Sequence, residues 1–334
     1  FAMVLMTALM GFACSEQKLP EGDALLWKVT GKEAQPSYVL ATCSAVDTTF
    51  LDSIPGFTEA LGKVKKVLMP YDASALFSLY AKSSLNKPKE DKEVEDGFLM
   101  PPDTTYAQLL SKEDLQQLDS LLCFIFPDDE NRQKQYTYKP LRLLASVRLC
   151  KKLNRDKAQV STPSPVKREG RMLLEIMLKD FATNRGLDVD YVWTAQEVLD
   201  MQNDWNSDVN VMISHLPLKV QAEELHNALV SADDCDAELQ RQERLEQAVA
   251  NYKTLSLAKA GTIELDKGCF SEEEQERLKK NFMSYFLNNR IPTIEAAMSQ
   301  QPTMVTMEAN GLLGAEGLLA RLCAAGYKVE PVTE

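Results

Sequence analysis

Histidine is scarce in this sequence, which contains only His215 and His226 among 334 residues. A catalytic zinc ion usually takes three protein ligands drawn from histidine, aspartate, glutamate or cysteine. The two histidines lack the four-residue spacing of a helical metal-binding pair, and Pro217 argues against one unbroken helix through both. We therefore predict that they are surface or helix-end residues and do not bind a metal.

An excess of basic residues is also missing. The 37 lysines and arginines are outnumbered by 49 aspartates and glutamates, which gives a formal charge of -12. This charge repels the phosphate backbone of nucleic acids and anionic lipid surfaces, so we expect no nucleic-acid partner. With 334 residues, of which 45% are hydrophobic, the chain is long enough to bury a full hydrophobic core.

Long hydrophobic runs are missing as well, since the N-terminal run FAMVLMTALMGFAC is shorter than the roughly 20 residues that span a bilayer. Its small residues before Cys14 resemble a bacterial lipoprotein signal. We predict a signal and tether at residues 1–18, with a membrane-binding lipid on Cys14, and a single domain at residues 19–334 in the bacterial cell envelope, periplasmic or on the cell surface. A buried N-terminal strand or an ordinary cleaved signal is the alternative. Because the sequence begins at Phe1 rather than methionine, we expect further residues before it.

Six cysteines remain once Cys14 is set aside, an even number in a compartment that permits disulfides. Cys235 and Cys269 both lie in polar segments beside predicted helices, so we predict a bridge between them. For the remaining four we expect free, buried thiols; they are Cys43, Cys123, Cys150 and Cys323.

The apolar pattern predicts short strands near both ends of the chain and helices between them. Runs rich in valine, leucine and aromatic residues indicate strands; they are LLWKVTG, SYVLA, KKVLMPY, LDVDYVW, TMVTMEA and YKVEPV. Ser111 with Asp114, and Ser271 with Glu274, approximate the capping boxes of two helices. We predict an α/β fold with a central mixed sheet built from N- and C-terminal strands, flanked by helices and carrying a helical middle insertion.

Two segments could carry chemistry without a metal. Cys43 and Ser44 lie at the mouth of the predicted strand in PSYVLATCSAVD, where a nucleophile needs a base within hydrogen-bond reach. No G-x-S-x-G pattern flanks them and no histidine can be placed beside them, so structural packing is the favoured interpretation. The turn NGLLGAEG lacks the lysine and the serine or threonine of a phosphate-binding loop, and we interpret it as a tight turn between a strand and a helix.

In their order along the chain, several segments resemble the TraB/GumN family, which includes the TIKI-type membrane-associated metalloproteases. The resemblance runs from about Leu25 to Val332. It rests on LLWKVTGKEAQPSYVLAT, FLDSIPGFTEAL, YKPLRLL, MLLEIMLKDFATNRGLDVDYVWTAQEVLDMQ and NNRIPTIEAAMSQQPTMVTMEANGLLGAEGLLARLCAAGYKVEPV. It implies the fold of that family over nearly the whole chain.

The metal site proposed for the family draws on two G-x-x-H turns and on acidic residues. Carried over to this sequence, the first turn falls on Ala41–Ser44, with serine in place of histidine, and the second ends at Gly311 in place of histidine. The acidic positions fall on Met69 and Trp193, whereas Glu175 stands where the family often has an aspartate. Serine and methionine cannot replace imidazoles and carboxylates as ligands of a hard or borderline cation. The resemblance thus implies a degenerate site, and we expect no metal or other cofactor.

Our leading hypothesis is a catalytically degenerate family member that acts as a binding or scaffold module. In this hypothesis Met69, Tyr71 and Trp193 line an apolar cleft at the former metal site, suited to a peptide or small-molecule ligand.

The alternative is a metal-independent hydrolase or protease in the same cleft, using Cys43, Ser44 or carboxylates such as Asp72 and Glu308. A carboxylate or histidine within hydrogen-bond reach of Cys43 or Ser44 favours this alternative. A cleft filled by the apolar residues disfavours it.

Overall fold

Five of the six strands in the described sheet come from the two ends of the chain, and one comes from its middle. The computed structural model describes residues 20–31, 35–83, 96–159, 174–231, 235–262, 287 and 290–333. Its strands are β1 (Leu26–Thr30), β2 (Ser37–Thr42), β3 (Lys66–Met69), β4 (Asp188–Tyr191), β5 (Thr303–Glu308) and β6 (Lys328–Pro331). They form a six-stranded sheet with the order β4-β3-β5-β2-β1-β6. The predicted strands are confirmed, and all but β4 come from the two ends of the chain.

Strand direction makes the sheet mixed, as predicted. Strands β4, β3, β5 and β2 run parallel to one another, whereas β1 runs antiparallel to both β2 and β6. The carboxyl ends of the parallel strands therefore lie at the same edge of the sheet. In α/β sheets this edge is where ligands usually bind.

The central strands are apolar along their length because both faces of the sheet are covered. All six residues of β2 (SYVLAT) and all four of β3 (KVLM) are buried. Strands that are buried on both faces read as continuous apolar runs rather than alternating ones. At the sheet edge, β4 instead alternates between exposed and partly buried residues.

Helices connect the strands, and most of them lie in the middle of the chain. A 3-10 helix spans Thr48–Ser53. The α-helices are α1 (Phe57–Lys63), α2 (Ala73–Ser83), α3 (Tyr106–Leu109), α4 (Lys112–Ile125), α5 (Asp129–Gln135), α6 (Pro140–Gln159), α7 (Leu174–Asn184), α8 (Ala195–Ser214), α9 (Leu218–Val230), α10 (Cys235–Lys253), α11 (Leu257–Ala260), α12 (Ile291–Gln300), α13 (Ala309–Leu312) and α14 (Leu318–Ala324). The α/β fold class is confirmed.

The start of α4 follows its predicted capping box. The Ser111 hydroxyl accepts a hydrogen bond from the Asp114 N–H at 3.0 Å and donates one to the Asp114 carboxylate at 2.8 Å. This arrangement satisfies an N–H group that a helix N-terminus otherwise leaves without a partner. The other predicted capping box, Ser271 with Glu274, lies outside the described residues.

Two hydrophobic clusters stabilise the chain. The larger one surrounds the sheet and joins residues from both chain ends, such as Trp27 and Val305. The smaller one joins α3, α4, α6 and α9, and its buried members are Tyr106, Leu118, Leu122, Leu143, Val147, Leu225 and Leu229. The helical middle insertion is therefore confirmed, and it has a core of its own.

The two histidines lie in this insertion. His215 directly follows α8, and α9 begins only after Pro217, so the predicted interruption of the helix is confirmed. His226 lies within α9 with a side chain that is 45% exposed, which agrees with the predicted surface position, and its Nδ1 atom is 3.0 Å from both carboxylate oxygens of Asp114. The contact joins α9 to the start of α4.

Four cysteines are free thiols as predicted, but they are not all buried. Cys150 is buried, Cys43 and Cys323 are partly buried, and Cys123 is exposed. Cys269 and the side chain of Cys235 lie outside the described residues, so their disulfide stays a prediction.

Residues 1–19, including Cys14, also lie outside the described residues. In the part of the chain that the structure describes, no helix is long and apolar enough to cross a membrane.

Candidate functional site

The candidate site lies where the parallel strands β2 and β5 end. Thr42 pairs with Glu308 at the last register position of the two strands. The chain then leaves β2 in a tight turn, in which the Val46 N–H donates to the Cys43 carbonyl at 3.0 Å. Cys43 and Ser44 therefore lie at the mouth of the strand, as the sequence predicted.

Helix α7 begins against this turn. The N–H of Leu174, its first residue, donates to the Ser44 carbonyl at 3.2 Å. The next residue is Glu175, whose side chain is buried and interacts electrostatically with Glu308. The fold thus brings together three segments that are far apart in the sequence.

Glu308 and Ser44 form a hydrogen-bonded pair. The Glu308 carboxylate accepts hydrogen bonds from the backbone N–H and the hydroxyl of Ser44. Desolvation raises the pKa of Glu308 above its ordinary value, and the two hydrogen bonds offset part of this increase. Glu308 is exposed to solvent at the end of β5, although protein atoms surround much of its carboxyl group.

Glu175 is a buried carboxyl group close to Glu308. Its side chain is 7% exposed, and burial raises its pKa to about 7, with the negative charge of Glu308 adding to the shift. Its Oε2 atom has no hydrogen-bond partner among the described residues. Near neutral pH this group therefore exists in both the protonated and the ionised form.

Cys43 is held in its thiol form. Burial raises the pKa of the Cys43 thiol, and the negative charges of Glu308 and Glu175 raise it further. The thiolate is the nucleophilic form of cysteine. The local electrostatics therefore disfavour Cys43 as a nucleophile at neutral pH.

A cleft of 380 Å³, which we call the strand-end cleft, opens beside these residues. One wall is formed by the ends of β2 and β5, with Cys43, Ser44, Glu308 and Asn310. The other wall is formed by α10 and by the end of α11 with the residues after it, and it includes Arg244, Gln247, Asn251 and Thr262. Both walls thus present hydrogen-bonding side chains.

The α10 wall is held against the sheet by Tyr252. The Tyr252 hydroxyl donates to the Ala41 carbonyl at 2.8 Å, and its ring centroid lies 5.7 Å from that of Phe50. The Asp23 carboxylate fixes the start of α11 by accepting a hydrogen bond from the Ser256 hydroxyl at 2.6 Å. The wall is therefore fastened to the carboxyl end of β2 and to a residue that precedes β1.

Met69 and Trp193 do not line the cleft, so the prediction of an apolar cleft is wrong. Each side chain is 1% exposed and belongs to the main hydrophobic core. After β4 the chain continues beside β3, and the Trp193 N–H donates to the Pro70 carbonyl at 2.9 Å. Because backbone pairing continues past the strand ends, the tryptophan is directed into the core and this half of the sheet edge is closed.

Tyr71 and Asp72 also lie outside the cleft walls. Burial raises the pKa of Tyr71 to about 12, and the charge of Glu175 adds to the shift. Asp72 accepts hydrogen bonds from the Lys179 ammonium at 2.8 Å and from the Ser74 N–H at 3.0 Å, at the start of α2. Asp72 therefore caps a helix, and the prediction that it could serve chemistry in the cleft is wrong.

The positions that the resemblance implies for a metal do not fit one. Ala41 and Gly311 are buried, and Gly311 lies in the one-turn helix α13 rather than in the tight turn that was predicted. Ser44 supplies no imidazole, and Glu175 is the one carboxylate among these positions. Among the described residues, no group of three histidines, cysteines, aspartates or glutamates could hold a metal ion.

The α10 wall was not predicted from the sequence. The segment CDAELQRQERLEQAVANYK resembles an ordinary solvated helix, because most of it is polar or charged. The signal that could have located it is Tyr252, the one aromatic residue in the segment. A single aromatic residue near the end of a polar helix is a natural docking contact.

Comparison with known proteins shows the family of this chain. Residues 25–331 match the TraB/PrgY/gumN family. The match covers nearly the whole chain, so the protein belongs to the TraB/PrgY/gumN family. No curated protein and no solved structure matches the chain.

Proposed function

We propose that this chain is a metal-free member of its family that acts as a binding or scaffold module and binds a polar small molecule or peptide in the strand-end cleft. The observation that carries the proposal is the hydrogen bond between Ser44 and Glu308. Ser44 stands at the position at which the resemblance to the family implies a histidine ligand. A serine bound to a carboxylate offers hydrogen-bonding groups but no metal-binding nitrogen.

The cleft lining favours a polar ligand over an apolar one. Glu308 offers a carboxylate, and the side-chain amides of Asn251 and Asn310 can both donate and accept. A volume of 380 Å³ is near the lower end of the roughly 300–1,000 Å³ range of small-molecule sites. These features support a small ligand, or one or two residues of a peptide.

Metal content tests the first half of this proposal. The purified chain is equilibrated with zinc, manganese and cobalt in turn, desalted and submitted to elemental analysis. We expect far less than one metal ion per chain. Stoichiometric metal that is lost in a Glu175→Gln/Glu308→Gln double variant would overturn the proposal.

Ligand-observed NMR tests the second half. The chain is screened against neutral, cationic, anionic and zwitterionic polar fragments. We expect fragments whose binding is lost in Glu308→Gln and in Asn251→Ala but kept in Phe77→Ala, an exposed site on α2. If no fragment depends on the cleft residues, the binding proposal fails.

We also propose that a lipid on Cys14 anchors the chain in the bacterial cell envelope. The proposal is supported by the order of apolar residues, small residues and cysteine in the N-terminal segment. Fractionation of expressing cells should place the chain with membranes, and Cys14→Ser should release it, whereas Cys123→Ser should not. A Cys14→Ser chain that stays with the membranes would contradict the lipid anchor.

A second candidate function is metal-independent hydrolysis with Ser44 as nucleophile and Glu308 as base. Their hydrogen bond favours it, and so does the raised pKa of Glu308, which makes this carboxylate a stronger base than one with an ordinary pKa. A fluorophosphonate probe tests it, because attack by the serine oxygen displaces fluoride and leaves a stable adduct. An adduct on Ser44 that disappears in Glu308→Gln would favour the hydrolase over the binding module.

A further inference from the structure

A second cavity lies in the helical insertion, away from the sheet and from the strand-end cleft. It has a volume of 980 Å³, is open to solvent, and runs between the start of α3, one face of α4 and the end of α5. We call it the insertion groove. Its volume is near the upper end of the roughly 300–1,000 Å³ range of small-molecule sites, so it can take an elongated ligand.

The insertion groove presents aromatic surface to solvent. Phe124 lines it and is 39% exposed, although it is a large apolar side chain. Of the two other aromatic residues that line it, Tyr136 is partly buried and Tyr106 is buried, and their rings pack edge to face with centroids 5.3 Å apart. An exposed aromatic ring beside a cavity commonly marks a binding surface, because rings bury much area with little loss of conformational entropy.

The charge in the insertion groove is already compensated. Among the described residues that line it, Asp119 carries the one formal charge at neutral pH. Its carboxylate lies 3.3 Å from the Arg132 guanidinium and accepts a hydrogen bond from the Tyr136 hydroxyl at 3.1 Å. A charged ligand would find no uncompensated partner here, so the lining favours a neutral ligand.

Neutral hydrogen-bonding groups lie beside the aromatic surface. Within the described part of the chain, the side chains of Gln116, Ser120 and Gln133 line the groove and form no hydrogen bond with another residue. Amides and hydroxyls can each donate and accept. The ligand therefore has an apolar face for the rings and several hydroxyl or amide groups at its edges.

We infer that the insertion groove binds a neutral oligosaccharide. A pyranose ring has a face of C–H groups that packs on an aromatic ring, and its hydroxyls project sideways towards amide, hydroxyl and carboxylate groups. Phe124 supplies the ring surface, while Gln116, Ser120 and Gln133 supply the polar partners. An extended peptide is the weaker match, because the described groove is helical and offers no strand edge on which such a peptide could pair.

Glycan binding by the full chain tests this inference. The chain is applied to an array of neutral bacterial polysaccharides and their oligosaccharides. The oligosaccharide that binds most tightly is then titrated into the chain by calorimetry. We expect binding that weakens about tenfold in Phe124→Ala, because the ring contact is lost, and that is largely kept in Phe124→Tyr. Gln116→Ala with Gln133→Ala should weaken it by a similar factor.

Two controls make the test specific. Phe77→Ala removes another exposed aromatic ring outside the groove and should leave the affinity unchanged. Glu308→Gln alters the strand-end cleft and should also leave it unchanged, so failure of this inference and failure of the proposed function can be told apart. The inference is overturned if no neutral glycan binds, or if the affinity for a bound glycan does not fall in Phe124→Ala.

Discussion

The carboxyl edge of the sheet has two halves that differ in character although their strands run in the same direction. Where β2 and β5 end, the chain turns away, and Ser44 and Glu308 face the strand-end cleft. Where β3 and β4 end, the backbones stay paired beyond the strands, and Met69 and Trp193 are buried in the core. In the open half the pKa values of Glu308 and Cys43 are raised and both residues line the cleft, whereas the closed half contributes packing.

This difference shows that position at a sheet edge does not by itself create a site. Parallel strands direct all their carboxyl ends to one edge, but a side chain reaches solvent only where the next segment leaves room for it. The two halves should therefore respond to substitution in opposite ways. Changes in the closed half should act on stability, and changes in the open half should act on protonation and reactivity.

The largest effect is expected in the closed half. Trp193→Ala should lower the free energy of unfolding by about 3–5 kcal/mol, because it leaves a large cavity in a dense core. Urea unfolding measures this, with Phe77→Ala as the control for loss of an exposed aromatic ring. A loss below about 1 kcal/mol would mean that Trp193 does not fill the core as described.

The next effect concerns protonation of Glu175 in the open half. Its pKa in the folded chain is raised to about 7, so folding favours the protonated form, and stability falls as pH rises from the unfolded pKa through 7. Glu175→Gln, which cannot ionise, should raise stability at pH 8 by up to about 3 kcal/mol and by less than about 1 kcal/mol at pH 5.

Thermal and urea unfolding at both pH values test the Glu175 prediction. Glu223→Gln, at an exposed position on α9, is the matched control and should change little at either pH. An equal gain for Glu175→Gln at pH 5 and pH 8 would show that packing, rather than ionisation, is responsible.

A smaller effect is expected where the open half is joined to its outer wall. Tyr252→Phe removes the hydrogen bond to the buried Ala41 carbonyl and should lower stability by about 1–2 kcal/mol, since the carbonyl loses its side-chain partner. Tyr252→Phe should also weaken the binding of any ligand in the strand-end cleft. Tyr138→Phe removes a hydroxyl that has no hydrogen bond within the described residues and should change neither property; equal effects of the two variants would contradict the proposed anchoring.

The smallest effect concerns Cys43. Burial raises the pKa of its thiol most, and the Glu308 charge adds to this, so Glu308→Gln should increase its rate of alkylation at pH 8 by about two- to threefold. Peptide mapping after limited iodoacetamide treatment measures the rate, with exposed Cys123 in the same chain as the control. A larger change at Cys123 than at Cys43 would indicate general loosening of the structure.

Much of the fold could be predicted from sequence because its signals are local. The apolar runs SYVLA, KKVLMPY and TMVTMEA all form buried strands, and Ser111 with Asp114 caps the predicted helix. These signals depend on side chains a few positions apart, which residue patterns capture directly. The predicted order of strands and helices needed nothing further.

The cleft could be predicted only in part, because its walls depend on distant contacts. Ser44 was correctly placed at the mouth of a strand, but its partner Glu308 became evident only from the pairing of β2 with β5. Trp193 was predicted to lie in the cleft because its position in the family implies a ligand. Its large side chain instead packs in the core, since the backbone stays paired at Pro70. The α10 wall carries no motif, so sequence patterns could not locate it.

The pairing of β2 with β5 also has a consequence for how the chain folds. Ser37 and Thr303, which are joined by a hydrogen bond, lie 266 residues apart, so the strand-end cleft cannot form until nearly all of the chain has been synthesised. The helical insertion has its own core, and the residues that form this core are closer together in the sequence than β2 and β5. The insertion is therefore expected to fold earlier. We expect a nascent chain cut short before β5 to keep a folded insertion but no cleft, and to leave the apolar edges of β2 and β3 exposed to chaperones and proteases.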